Sequence, residues 1–158
     1  MVDGYTSTLA VQRSGSVLSF QPVVSDEGAA YAEISGLPPA PTQLAACESA
    51  HFALYRDGTV WSWGEASRGQ LGLGSTVDRV SPTRVTAMPS AVAVGCGRDH
   101  TLAVGSDGRT FAWGQNDYGQ LGDATLVRRP TPVVIPGLTR VAEAHGGRGY
   151  TVVRRLPA

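Results

Sequence analysis

Apolar and polar residues alternate over short stretches of this chain, and turn residues separate the stretches. Leu102 and Val104, for example, alternate with smaller or polar neighbours, a pattern typical of a half-buried β-strand. The dipeptides Asp57-Gly58 and Asp107-Gly108 each lie between two apolar stretches. Because Asp and Gly tolerate the positive φ of a tight hairpin turn, each dipeptide predicts a β-hairpin.

The same string of residues then occurs twice, about 50 residues apart. SWGEASRGQLGLGS begins at Ser62, and AWGQNDYGQLGDAT begins at Ala112. The agreement extends upstream, since HFALYRDGTVWSWG precedes the first loop and HTLAVGSDGRTFAWG the second. Degenerate copies occupy 7–20 and 146–153. Self-similarity at a fixed interval indicates a repeated supersecondary unit. We therefore predict units at 1–50, 51–99 and 100–149, with 150–158 as the first strand of a further, truncated repeat.

Each unit contains signals for four short strands. Pro82 and Pro132 follow the hairpins and lack an N–H, so each suits an edge strand. The stretches at 91–96 and 139–144 predict one more strand before the next unit. No segment has the period of a helix. The sequence therefore predicts an all-β fold, a partial β-propeller of about three four-stranded antiparallel blades. The weakest signals lie at 21–43, where we expect an irregular blade edge.

The repeated string resembles the repeat of the regulator of chromosome condensation family. In that repeat a His-Thr-Leu-Ala-Leu strand leads through Asp-Gly to Trp-Gly and then to Gly-Gln-Leu-Gly. The copy from His100 to Gly122 matches this order and has Asn116 in the asparagine position of the family. The copy at 51–74 has Ala66 there. The resemblance covers about residues 44–153 and implies a propeller scaffold.

The motif residues are predicted to build the fold and not to perform chemistry. Tryptophan rings are expected to wedge between neighbouring blades, glycines to adopt positive φ, and leucines to hold the loop on the blade core. Each histidine is expected to bond the backbone where a strand begins. The predicted structural residues are His51, Trp63, Gly64, Gly69, Gln70, Leu71 and Gly72 in one copy, and His100, Trp113, Gly114, Asn116, Gly119, Gln120, Leu121 and Gly122 in the other.

The resemblance implies a closed ring of seven blades, and this chain has material for about three. Three interpretations remain open. The chain is a piece of a longer propeller, or it persists as an open arc, or its ends pair with another copy. In the last case, the segment from Val141 to Val153 would complete the blade begun by Leu9 to Phe20. We favour a partial propeller that requires more chain or a partner, because unpaired strand edges promote aggregation.

The charge balance argues against a nucleic-acid interface. The chain has 13 basic and 13 acidic residues and a net charge of zero, whereas nucleic-acid binding usually needs a concentrated basic face. No apolar run is long enough to span a membrane, and no signal peptide is visible, so we expect a cytoplasmic protein. All basic residues are arginine. This composition favours a bacterial source.

Recurring cysteine and histidine residues raise the question of a metal site. Cys47 and Cys96 lie four residues before His51 and His100. We expect no metal, because equivalent points in adjacent blades should be a blade apart and Tyr150 replaces the histidine in the next copy. The same reasoning predicts two free, buried thiols and no disulfide. His145 begins HGGRG, which could hold an anion but is better explained as a turn.

No catalytic constellation is visible, so we predict no enzymatic activity, no catalytic residue and no cofactor. The variable loops are the candidate binding surface, since propellers commonly bind partners through loops. Our main hypothesis is a scaffold that binds a protein of unknown identity, or another copy of itself. The alternatives are a fragment of a guanine-nucleotide exchange factor for a small GTPase and a propeller-type bacterial enzyme inhibitor. The candidate binding residues are Arg68, Arg79, Tyr118, Arg128 and Arg129.

Overall fold

The computed structural model describes residues 8–20, 31–155 and 157, and in that part of the chain it has β-strands, turns and bends but no helix. This confirms the all-β prediction. The strands are β1 (Thr8–Val11), β2 (Val17–Phe20), β3 (Tyr31–Glu33), β4 (Gln43–Ala46), β5 (Ala50–Leu54), β6 (Val60–Gly64), β7 (Arg79–Arg84), β8 (Ala91–Cys96), β9 (His100–Gly105), β10 (Arg109–Gly114), β11 (Arg129–Thr139), β12 (Val141–Gly146) and β13 (Thr151–Arg155).

Two complete four-stranded sheets form the middle of the molecule. Blade I has the order β4-β5-β6-β7, and blade II has the order β8-β9-β10-β11. Every neighbouring pair in both blades is antiparallel. The predicted Asp-Gly dipeptides close the central hairpins, with Gly58 at a φ of 81°. This architecture confirms the partial propeller.

The proline-containing strands lie at the outer edges. Pro82 is in β7 and Pro132 is in β11, and each strand has a single neighbour in its sheet. On the solvent side of an edge strand there is no ladder hydrogen bond for a proline to lose. The prediction that the proline-containing strands lie at blade edges is therefore confirmed for both blades.

Incomplete sheets flank the two blades. The first sheet contains β1-β2-β3, and the terminal hairpin contains β12-β13. By alignment with β9, both β1 and β13 are second strands of a blade, since STLAV and YTVVR correspond to HTLAV. A blade made from the terminal hairpin and another copy's first sheet would therefore contain one strand too many. The predicted irregular edge at 21–43 includes β3, but residues 21–30 lie outside the described part.

The repeat boundaries and the blade boundaries differ by one strand. The inner strand β4 belongs to the unit predicted at 1–50, and β8 belongs to the unit at 51–99. Each inner strand therefore comes from the unit that precedes the rest of its blade. Consecutive units are joined through the sheet itself, which couples the folding of one blade to that of the next.

A disulfide joins the inner ends of the two blades, and our prediction of free thiols was wrong. Cys47 and Cys96 are bonded, with their Cα atoms 5.8 Å apart. Equivalent points of adjacent blades are close together here because the inner strands converge. At the next junction Gly146 takes the place of Cys96, and an added Cβ there would collide with the backbone of Gly97.

The apolar core follows the junctions between sheets. Phe52, Leu71 and Trp113 belong to one cluster that includes side chains of both blades. A second cluster joins blade II to the terminal hairpin through Leu121 and Ala144. Because the clusters cross the junctions, burial of apolar surface holds neighbouring blades together as well as each blade.

Candidate functional site

The Gly-Gln-Leu-Gly loop of blade I forms a socket for a side chain of blade II. We call the surface over Gln70 and Gly72 the first socket. Leu71 is fully buried beneath it, and the Gln70 side-chain oxygen accepts a hydrogen bond from the Arg68 N–H at 2.8 Å. This contact leaves the main-chain carbonyl of Gln70 available to the neighbouring blade.

Trp113 fills the first socket. Its indole N–H donates to the Gln70 carbonyl at 2.8 Å, and the Thr101 hydroxyl donates to the same oxygen at 3.0 Å. Gly72 has a φ of 73°, and a Cβ there would lie 2.8 Å from the indole nitrogen. Glycine is therefore required by the backbone conformation and by the ring above it. The ring of Phe52 meets Trp113 edge-on at a centroid distance of 6.2 Å.

Trp63 occupies the equivalent position at the junction between blade I and the first sheet. It is buried with Ala53 and Tyr55, and Leu9 of the first sheet packs against this group. The imidazole ring of His51 lies 5.7 Å from the Trp63 ring, centroid to centroid. Both repeat tryptophans thus lie between neighbouring sheets, and Gly64 and Gly114 follow them at φ values of 109° and 99°.

Blade II presents a second loop of the same type, held in place by Asn116. The Asn116 side-chain amide donates to the Asp123 carboxylate at 2.9 Å and to the Thr125 carbonyl at 2.9 Å. Its oxygen accepts from the Leu121 N–H at 3.0 Å. The surface over Gln120 and Gly122 is the second socket. The Gln120 side-chain oxygen accepts from the Tyr118 N–H at 3.0 Å, as Gln70 does with Arg68.

Blade I replaces the asparagine by another arrangement. Ala66 occupies that position, and its N–H donates to the Asp78 carboxylate at 2.9 Å. The side chain of Asp78, at the far end of the same loop, therefore stabilises the loop in place of the asparagine. The loop stays ordered without the asparagine of the family motif, which the sequence comparison alone does not explain.

The candidate binding residues divide into two groups. Arg128 pairs with Asp117 at 3.1 Å, and Arg129 pairs with the nearly buried Asp123 at 2.9 Å. These two arginines stabilise the loop of blade II itself. Tyr118 is 80% exposed, and Arg79 is exposed as well, whereas Arg68 is half-buried. Tyr118 and Arg79 are therefore the more accessible members of the predicted set.

Exposed aliphatic residues were missed by the sequence reasoning. Val77 and Val127 occupy equivalent positions in the loops of the two blades and are 64% and 57% exposed. Leu126, next to Val127, is 66% exposed, and Val80 in β7 is exposed as well. Apolar side chains inside loops otherwise rich in Gly, Ser, Asp and Arg were the available signal. They place an apolar element on the same loops as the predicted arginines.

His100 connects blade II to the terminal hairpin. His100 shares a hydrogen bond of 3.0 Å between its Nε2 and the Thr151 hydroxyl of β13. Burial lowers the pKa of His100, and a backbone hydrogen bond at Tyr150 opposes this shift. Burial likewise lowers the pKa of His51, opposed by the backbone at Ala50. Both imidazoles are therefore held towards the neutral form.

Ionised Asp123 is stabilised by the loop around it. Burial opposes its ionisation, but hydrogen bonds from Thr125, Arg129 and Asn116 together lower its pKa to about 2.

Among residues 8–20, 31–155 and 157, no group of His, Cys, Asp or Glu could hold a metal ion. His145 lies in β12 opposite Val152, and the turn to β13 follows it, closed by the Gly147 N–H, which donates to the Tyr150 carbonyl at 2.8 Å. The same described residues contain no helix capable of crossing a membrane.

Comparison with known proteins agrees with this geometry. The profile of the regulator of chromosome condensation (RCC1) repeat matches residues 57–104 and 107–154, more than half of the chain. The chain belongs to the RCC1 repeat family. The plant ultraviolet-B receptor UVR8 of Arabidopsis thaliana is 39% identical over 79 residues, which are 49% of this chain and 18% of UVR8. The chain thus matches less than a fifth of that relative's length.

Solved RCC1-type structures share the fold over nearly the whole chain. Human WBSCR16 superposes with a TM-score of 0.82 and 26% identity, over 96% of this chain and 43% of WBSCR16. Prp20p of Saccharomyces cerevisiae superposes with a TM-score of 0.81 and 18% identity, over 98% of this chain and 43% of Prp20p. The Prp20p structure is described together with its binding to Gsp1p and histones. At 18% identity, the structural similarity to Prp20p establishes the fold alone.

Proposed function

We propose that this chain is a non-enzymatic scaffold that binds a protein through the loops of blades I and II. The observation that carries this proposal is a set of exposed apolar side chains on loops with internal hydrogen-bond networks. Val77, Tyr118 and Leu126 are all more than 60% exposed, although they belong to loops held by Asp78 and Asn116. A preorganised loop loses little entropy on binding, which favours association.

The loops lie next to each other in space. The Gly74 N–H of blade I donates to the Pro130 carbonyl of blade II at 2.9 Å, directly after the second loop. Val77 and Leu126 therefore belong to neighbouring segments of one surface, which we call the loop face. Exposed tyrosine and arginine at Tyr118 and Arg79 add residue types that are common at binding hot spots. An apolar surface with such residues suits a protein partner.

Affinity capture from the natural source tests the proposal. The full chain and a Val77→Asp variant serve as baits, and bound proteins are quantified by mass spectrometry. We expect a discrete partner whose recovery falls at least tenfold with Val77→Asp. A Val92→Asp variant, which alters an exposed side chain away from the loops, is the matched control and should retain the partner. Equal recovery of the partner with all three baits would exclude the loop face as the binding surface.

Nucleotide exchange is separated by a second assay. The partner, if it is a small GTPase, is loaded with a fluorescent guanine nucleotide, and release is followed with and without the chain. A scaffold leaves the release rate unchanged, whereas an exchange factor accelerates it. An enzyme inhibitor would instead reduce the turnover of a captured enzyme partner. The exposed apolar side chains of the loop face favour the scaffold, and these assays distinguish it from the two alternatives.

A further inference from the structure

The disulfide between blades I and II lies at the end of the blades that carries the loop face. Cys47 directly follows β4, and Cys96 is the last residue of β8. Each cysteine leads into a tight turn closed by a main-chain hydrogen bond. The Cys47 N–H donates to the Ala50 carbonyl at 2.9 Å, and the Gly97 N–H donates to the His100 carbonyl at 2.8 Å. The bond therefore joins two turns, one from each blade.

Each of these turns also holds the first residue of a loop. In blade I, the Ser49 carbonyl accepts the Glu65 N–H at 2.9 Å. In blade II, the Asp99 carbonyl accepts the Gln115 N–H at 2.7 Å. Glu65 and Gln115 begin the two loops that form the loop face. The path from either sulfur atom to a loop is therefore one short turn and one hydrogen bond.

An ion pair also links the two turns. The guanidinium of Arg98 lies 3.6 Å from the carboxylate of Glu48, and the two side chains are 49% and 34% exposed. Ion pairs that are this accessible to water contribute little to stability. The covalent bond is therefore the stronger restraint on the distance between the turns.

The blades have other contacts that do not depend on the disulfide. The Gln43 side-chain amide of blade I donates to the Val94 carbonyl of blade II at 2.7 Å, and the indole ring fills the first socket. At the next junction Gly146 replaces the cysteine, and the Arg98 N–H donates to the Gly147 carbonyl at 3.3 Å. Opening the bond should therefore release the two turns and leave both blades folded.

One of the two cysteines is more accessible than the other. Cys96 is half-buried, whereas Cys47 is only 9% exposed, so a reductant should attack the sulfur of Cys96. A thiolate of a dithiol forms a bond to that sulfur, and the electron pair of the broken bond leaves on Cys47, which takes up a proton. The second thiol of the reagent then displaces Cys96. Two thiols and one cyclic disulfide result, after transfer of two electrons.

We propose that Cys47–Cys96 is a redox-responsive site, opened by a dithiol reductant, that controls the relative position of the two loops of the loop face. In the oxidised form, the bond fixes the distance between the turns that hold Glu65 and Gln115. Two thiols need more room than two bonded sulfur atoms, so reduction makes the turns separate. This proposal rests on the proposed scaffold function, because it describes the regulation of that scaffold's binding surface.

Hydrogen exchange of the full chain, followed by NMR, tests the proposal. The oxidised chain is compared with the chain treated with dithiothreitol at neutral pH, and alkylation with mass spectrometry counts the thiols. The amides of Glu65 and Gln115 should exchange at least tenfold faster after reduction, because their acceptors lie on the released turns. The amides of Ala91 and Ser106 are the internal control, since they make similar single hydrogen bonds at the opposite end of the blades, both at 2.8 Å. Their exchange should change less than twofold.

Variants separate loop release from a general loss of stability. The Cys47→Ser, Cys96→Ser double variant should exchange like the reduced chain, with or without dithiothreitol. Val60→Ala is the control, because it removes buried apolar atoms from β6 and keeps the disulfide. It should lower stability without selectively accelerating exchange at Glu65 and Gln115. Circular dichroism establishes that both variants fold.

The partner recovered by affinity capture measures the consequence for binding. We expect it to bind the reduced chain at least fivefold more weakly than the oxidised chain, because independent loops must be ordered again on association. The double variant should match the reduced chain. Failure to recover a partner would bear on the proposed function alone, since the exchange experiment requires no partner.

Four results contradict the proposal. These are a disulfide that dithiothreitol reduces only after the chain is unfolded, unchanged exchange at Glu65 and Gln115 after reduction, equal acceleration at these amides and at Ala91 and Ser106, and equal affinity of the recovered partner for the two redox forms.

Discussion

The first and second sockets compare a completed junction with an exposed one inside the same molecule. Both have a Gln carbonyl that accepts a Thr hydroxyl, a buried Leu and a Gly at positive φ. Only the first socket contains an indole ring. In that socket, Gln70 and Gly72 contact the third strand of the next blade. The Gly-Gln-Leu-Gly loop is therefore a receptor for the following blade. Its role depends on which strand lies next to it.

Removing the ring from the completed junction should have the largest effect. Trp113→Ala deletes a fully buried side chain and its hydrogen bond to Gln70, so we expect a loss of about 3–5 kcal/mol in unfolding free energy. Chemical denaturation measures it. Trp61→Ala, at a half-buried position of β6, is the control and should cost less. Equal losses would mean that the socket contributes nothing specific to tryptophan.

Removing the cross-link between the inner strands should come next. The Cys47→Ser, Cys96→Ser double variant opens a link that spans 49 residues. Cross-links stabilise mainly by restricting the unfolded chain, typically by about 2–4 kcal/mol. We expect a lower thermal midpoint than in the oxidised wild type. Reduced wild type is the control and should approach the double variant, and a reductant with no effect on the midpoint would contradict the bond.

Alanine at the two socket glycines compares the junctions directly. Gly72→Ala and Gly122→Ala impose the same left-handed strain, because their φ values are 73° and 69°. Only Gly72→Ala also drives a methyl group into Trp113, and overpacking costs about 1–3 kcal/mol. Gly72→Ala should therefore be more destabilising by that amount in denaturant titrations. A larger loss from Gly122→Ala would reverse our assignment of the sockets.

Acid should weaken the loop of blade II by a smaller amount. The hydrogen bonds to Asp123 lower its pKa to about 2, below about 3.9 in an unfolded chain. Its contribution to stability is therefore complete above pH 4 and is lost as the pH falls through 2. Asp123→Asn should flatten this part of the stability profile. Asp57→Asn, in an exposed turn, is the control and should flatten it less. Identical pH profiles of stability for wild type and Asp123→Asn would show that ionised Asp123 does not contribute to stability.

Local patterns were sufficient to predict the blade strands. Asp57-Gly58 and Asp107-Gly108 specify hairpins through backbone conformation, and Pro82 and Pro132 specify outer edges through a missing donor. Such effects act within a few residues, so they can be found without a structure. The boundaries of the repeats did not coincide with those of the blades, because strand order depends on which neighbour completes the sheet.

Features between blades were predicted less well. The Cys47–Cys96 bond was excluded on an assumed blade spacing, but the inner strands converge to a Cα separation of 5.8 Å at that point. Val77 and Leu126 were missed because exposure in a loop cannot be inferred from the repeat alone. Arg129 remains a predicted binding residue, and its ion pair with Asp123 could not be inferred from the sequence.

The order of residues alone determined that this chain forms repeated antiparallel hairpins with Trp, Gly and Leu at fixed places. Turn chemistry and strand alternation are local, so they are encoded wherever the motif occurs. Only the tertiary structure decided which copies of that motif are covered and which are accessible. Coverage depends on the strand from the neighbouring blade, and the distance between residues far apart in sequence is set by how the sheets pack.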